Sequence, residues 1–198
     1  MEERSAEQRA AKVVSAREGT GALLERDYYA RLRGSDLSPS QVMELVRRNF
    51  ASLAPEGLAA FHASAKDGIG VGDELDIRIF GAGACRVRVV HTDAQSITLG
   101  TLEGHPEAGR ITFGCYRDDE GQLLFHIRSR ARSDSLLRLF GFVVAGEAMQ
   151  TNTWTDFISR TGALAKGDVR AVHAAMRTLD DESEADVVDR PTFLARGD

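Results

Sequence analysis

Gly-Thr-Leu-Glu-Gly-His-Pro-Glu, at positions 100–107, sets the imidazole of His105 between the carboxylates of Glu103 and Glu107. Imidazole titrates near neutrality and Pro106 stiffens the loop, so His105 and Glu107 are candidates for an acid–base pair. The plainer alternative is that both groups only satisfy the backbone of a tight turn. His62, His91, His126 and His173 have no H-E-x-x-H or comparable spacing, so no metal site is expected. Cys85 and Cys115 occupy apolar positions and are expected to act as small core residues instead of nucleophiles. Gly-Ile-Gly-Val-Gly-Asp-Glu at 68–74 has the glycines of a phosphate loop but leads into a strand. It lacks the helix N-terminus that would hold a phosphate, and no cofactor is expected.

These residues sit among elements that the pattern makes legible. Ser38 with Pro39 and Gln41 reads as a capped helix start, followed by the stripe Val42, Leu45, Val46, Asn49 and Leu53. From residue 74 the period changes to two. Leu75, Ile77 and Ile79 share a face, as do Cys85, Val87 and Val89; Ile97, Leu99 and Thr101; Ile111, Phe113 and Cys115; and Leu123, Phe125, Ile127 and Ser129. Runs of this kind, separated by turn residues such as Asp118–Gln122, predict an antiparallel meander with one packed and one wet side. Tyr28, Ala30 and Leu32 alternate weakly with Tyr29, Arg31 and Arg33, suggesting a further strand. A long helix with Met149, Trp154, Phe157 and Ile158 on its apolar side follows and stops at Gly162. Val169, Val172, Met176 and Leu179 suggest a last short helix over 167–179, ahead of an acidic tail expected to be dispensable for folding.

The expected organisation is therefore a helical arm at 1–26, a main domain at 27–162, and a terminal helix with tail at 163–198. The class is α+β, with a curved antiparallel sheet of about six or seven strands covered by the long helix. A sheet curved around a helix leaves space between them, so ligand contacts are expected from Thr101, His105, Phe113, Phe125, Met149 and Trp154.

The totals exclude several classes. At 198 residues the chain can bury a real core, and a net charge of −5 argues against a nucleic-acid partner. Arg78, Arg86, Arg88, Arg128 and Arg130 share the outer sheet face, where a solvated surface interleaved with acids is the expectation. The charged start Met-Glu-Glu-Arg and the two unpaired cysteines indicate a cytoplasmic protein. No apolar run approaches the roughly 20 residues that span a bilayer.

Gly-Thr-Leu-Glu-Gly-His-Pro-Glu, the hairpin from Arg117 to Arg132 and the helix behind it resemble the family called domain of unknown function nineteen-ninety. The resemblance is best over residues 84–132 and looser at Asp27–Asp36, Gly68–Ile79 and the long helix. The chain departs from it at the arm, the tail and Arg110–Tyr116. It implies the START-like, or helix-grip, fold, in which a curved antiparallel sheet grips a C-terminal helix, and implies no activity. The function expected is binding of an apolar or amphipathic small molecule between sheet and helix. Alternatives are a cyclase-, lyase- or hydrolase-like enzyme using His105 and Glu107, or a protein–protein module; a homodimer is compatible with each.

Overall fold

The computed structural model describes residues 11–54, 59–63, 68–79, 83–133 and 143–180. Its strands are β1 (Leu23–Arg31), β2 (Ala59–Ala63), β3 (Glu74–Ile79), β4 (Gly83–Thr92), β5 (Ser96–Thr101), β6 (Glu107–Arg117), β7 (Leu123–Ser133) and β8 (His173–Leu179). They form one sheet in the order β2-β3-β4-β5-β6-β7-β1-β8, antiparallel throughout. The α-helices among the described residues are α1 (Pro39–Leu53) and α2 (Val143–Leu164).

Local chemistry explains the boundaries. Ser38 Oγ accepts from the Gln41 amide (3.3 Å) while Gln41 Oε1 accepts from the Ser38 amide (2.8 Å), closing the capping box ahead of Pro39. Between β6 and β7, Asp118 Oδ1 accepts from the amides of Glu120 (3.1 Å) and Gln122 (2.8 Å). Gly121 supplies the positive φ of 74° that completes this turn.

The register puts the alternating apolar residues on one side, the inner face. Ile97 pairs with Phe113, Phe113 with Ile127, and Ile127 with Tyr28. One step along, Cys115 pairs with Phe125 and Phe125 with Ala30. Both helices pack on this side. Phe113 meets Phe50 of α1 (5.0 Å between ring centroids) and Phe157 and Trp154 of α2 (5.1 and 5.6 Å). Phe50, Phe113, Phe125 and Phe157 are all fully buried.

Two expectations need correction. Residues 173–179 form strand β8, not a helix: Leu23 to Tyr29 of β1 pair one for one with Leu179 to His173. The helical spacing of Val169, Val172, Met176 and Leu179 is overridden because β1 presents an unpaired edge, and β8 fills it with six exposed residues and one half-buried one. Over residues 11–26 the chain is not the expected helical arm, and residues 1–10 lie outside the described residues. Leu23–Arg26 already belongs to β1, and the only helical piece among residues 11–22 is the 3-10 turn Ala16–Glu18. Val13 bridges to Leu102, and Arg88 donates to the Ala11 carbonyl (2.8 Å), so this segment lies against the sheet. The acidic tail and Pro55–Gly57 lie outside the described residues.

Phe113 joins three aromatic neighbours and both helices to the sheet. Phe113→Ala is expected to cost about 3–5 kcal/mol in urea unfolding. A cost below about 1 kcal/mol, the range of surface substitutions, would contradict the assigned register.

Candidate functional site: the polar end of the inner face

Side chains two apart on β1 share a face, so Leu24, Arg26, Tyr28, Ala30 and Leu32 point the same way. Tyr28, Ala30 and Leu32 belong to the core between sheet and helices. Arg26 is thereby turned inward as well, opposite Ser129 of β7 and Met176 of β8. It is 5% exposed, and neither Nε nor Nη1 has a hydrogen-bond partner. Among the described residues its one ionic contact runs from Nη1 to Glu107 Oε1 at 3.4 Å. The Ser129 hydroxyl beside it is buried and also lacks a partner.

The His105 turn serves this arrangement. The His105 amide donates to the Leu102 carbonyl (3.0 Å), and Gly104 turns the chain with φ 87°. His105 Nδ1 lies 3.0 Å from the Glu107 amide nitrogen, which donates to it, and 2.9 Å from the Glu107 carbonyl. Burial lowers the imidazole's pKa despite the opposing pull of the Glu107 charge, favouring the neutral ring that can accept this bond. Thr101 Oγ1 accepts from the Gly109 amide (3.0 Å), locking the other side of the turn. The turn thus fixes where β6 begins and sets the Glu107 carboxylate beside Arg26. Cys85, also at this end, is pushed up to about 11, first by burial and then by the nearby Glu107 charge.

The residues singled out from the sequence fall into separate groups. Phe113, Phe125 and Trp154 pack with Phe157 and Phe50 in the ring cluster. Thr101, His105 and Glu107 gather at the β5–β6 turn. Met149 lies in α2, and its side chain is outside the described residues. Arg26 and Ser129 carry the polar end and were not among the sequence candidates. A signal was present: in Leu-Leu-Glu-Arg-Asp-Tyr-Tyr-Ala-Arg, an arginine stands on the apolar side of the alternation.

The outer face holds the opposite solution. Glu25, fully buried, accepts from Arg130 Nε and Arg177 Nε, each at 2.6 Å. Asp27 accepts from Arg128 Nε at 2.6 Å and lies 2.7 Å from His126 Nε2. Tyr29 stacks on His173 (5.1 Å) and meets His126 edge-on (5.7 Å). Arg86 donates to Glu74 at 3.0 Å, and Arg88 pairs with the same carboxylate. These arginines are interleaved with acids as expected, but Arg128 and Arg130 are buried instead of solvated.

Among the described residues no group of three or more His, Cys, Asp or Glu gathers as metal ligands. Also among them, no helix is long and apolar enough to cross a membrane.

A family model for a domain of unknown function, DUF1990, matches residues 41–161. The chain belongs to the DUF1990 family. No curated protein matches it. Solved structures share its fold. An NMR structure of KanY protein is similar at a TM-score of 0.55 with 6% identity, covering 75% of this chain and 100% of that one. A conserved protein from Geobacillus kaustophilus is similar at 0.50 with 11% identity, covering 76% and 98%. The di-domain ARO/CYC StfQ from the steffimycin biosynthetic pathway is similar at 0.50 with 10% identity, covering 73% of this chain and 51% of that one. At such identities the likeness concerns fold alone, and that fold is the START-like helix-grip. In this DUF1990 protein the gripping sheet has eight strands among the described residues.

The buried His126–Asp27 pair makes stability depend on pH. Burial first, and Arg128 in addition, push His126 down to about 4, outweighing Asp27, whereas an ordinary histidine titrates at 6.5. Between these values the unfolded chain takes up a proton that the folded chain does not, so stability falls as pH falls through the window. Asp27 adds loss at lower pH. Burial would raise its carboxyl, but hydrogen bonds from His126 and Arg128 hold it below 3.8, so its contribution is present above that value and vanishes beneath. The melting temperature of wild type is expected to drop from about pH 6.5 to 4. His126→Gln should flatten that slope without abolishing it, because His105 shifts in the same direction. An equal slope in both proteins would contradict the assignment.

Proposed function

We propose that the protein binds an apolar or amphipathic small molecule on the inner face of the sheet. The observation that carries this is one row across the strands. Val89, Leu99 and Ile111 pair in sequence, and Ile111 continues to Ser129, Arg26 and Met176. Along this row apolar side chains run into buried polar groups, the pattern a molecule with an apolar body and a polar end requires.

The titratable groups support binding over catalysis. Burial pushes the Cys115 thiol up to about 12 and the Cys85 thiol up to about 11, so neither supplies a thiolate at neutral pH. His126 is committed to Asp27 on the outer face. His105 spends Nδ1 on the backbone of Glu107, which makes it a positioning residue for that carboxylate instead of a free base.

Native mass spectrometry of the purified protein, with calorimetric titration of dodecanol as a probe, tests the proposal. Ile111 is half-buried on the binding row, so Ile111→Trp should fill the space. It is expected to weaken dodecanol binding by more than about tenfold, while overpacking costs no more than about 1–3 kcal/mol of stability. Unchanged affinity in a folded Ile111→Trp protein would move the ligand off this face.

A further inference from the structure

We propose that the inner-face site selects amphipathic anions, a carboxylate on an apolar body, with Arg26 and Ser129 receiving the carboxylate and Glu107 holding the guanidinium until the ligand arrives. The inference rests on the binding proposed above and assigns its ligand class.

Arginine is never neutral in a protein and carries five donors. A guanidinium this buried normally spends them on carboxylates or carbonyls, because an unmade bond to a buried charge is costly. The outer face shows this rule obeyed: Arg130 and Arg128 donate to Glu25 and Asp27 at 2.6 Å. Arg26 breaks it. Its side chain is 7% exposed, its Nε and Nη1 are unpartnered, and Glu107 stands at 3.4 Å without a hydrogen bond. The Ser129 hydroxyl, paired across from it, offers a further unpartnered donor. Glu107 balances the charge but leaves the donors unused.

An incoming carboxylate would use those donors. Two oxygens match the planar guanidinium fork, and charge-assisted bonds in a water-poor site are short and strong. The apolar body would lie along Ile111, Leu99 and Val89, whose row leads directly away from Ser129. The outer arginines do not compete, since their charges are already met by Glu25 and Asp27.

Calorimetry with two matched pairs provides the test: dodecanoate against dodecanol, and 2-naphthoate against 2-naphthalenemethanol. Wild type is expected to bind each anion at least about tenfold more tightly than its neutral partner, the return from a charge-assisted hydrogen bond. Arg26→Met should erase that gap, weakening each anion at least about tenfold more than its neutral partner. Glu107→Gln, which removes the competing carboxylate and keeps Arg26, should tighten dodecanoate and not dodecanol; it decides the matter if Arg26→Met fails to fold. Equal affinities for anion and alcohol in wild type overturn the inference while leaving the binding site standing. A gap that survives Arg26→Met, or dodecanoate affinity unmoved by Glu107→Gln, also overturns it. Failure of all four probes to bind wild type overturns the binding proposal itself, and this inference with it.

Discussion

A strand sends residues two apart to the same side, and in a sheet that packs α1 and α2 on one side this decides which charges are buried. β1 presents Tyr28, Ala30 and Leu32 to the core, so Arg26 has no choice but to follow. Much of the polar architecture answers that placement. Glu107 stands opposite the guanidinium because β6 starts where it does. β6 starts there because His105 and Thr101 each hold an amide of its first residues. The histidine turn therefore works through the backbone, and its consequence is the position of a carboxylate.

The two faces of the sheet treat buried charge differently. On the outer face, alternating acids of β1 meet alternating arginines of β7. Glu25 pairs with Arg130 and Asp27 stands opposite Arg128, with Arg177 of β8 closing the lattice from its edge. Removing one partner from such a lattice would strand a buried charge, which makes it a structural feature. On the inner face the charge is balanced but the hydrogen bonds are not made. The Arg26 Nε and Nη1 donors left unused there are the feature on which the proposed carboxylate site rests.

The meander and its apolar face were legible because antiparallel sheets with one packed side alternate strictly, and Leu75 through Ser129 does so. The capped start of α1 was legible because Ser38, Pro39 and Gln41 act locally. β8 was not. Its sequence, His-Ala-Ala-Met-Arg-Thr-Leu, carries little burial signal at an exposed edge, and only pairing with β1 fixes it as a strand. Arg26 escaped notice for a related reason. Without β8 and the opening residues of β1, Leu23–Arg26 read as an arm, and parity could not be extended back from Tyr28. His105 and Glu107 were identified by residue type, but their division of labour depends on a 3.0 Å bond to a main-chain amide, which composition does not encode. Phe113, Phe125 and Trp154 were placed on the inner face by alternation and helical spacing; that they pack against one another required the register.

A crystal structure of the protein with dodecanoate tests the central claim most directly, because it locates the carboxylate relative to named atoms. Both carboxylate oxygens should lie within hydrogen-bond distance of Arg26 and the Ser129 hydroxyl, with the alkyl chain along Ile111 and Leu99. A carboxylate left in solvent, or seated on Arg128 or Arg130 at the outer face while Arg26 still faces only Glu107, would contradict it.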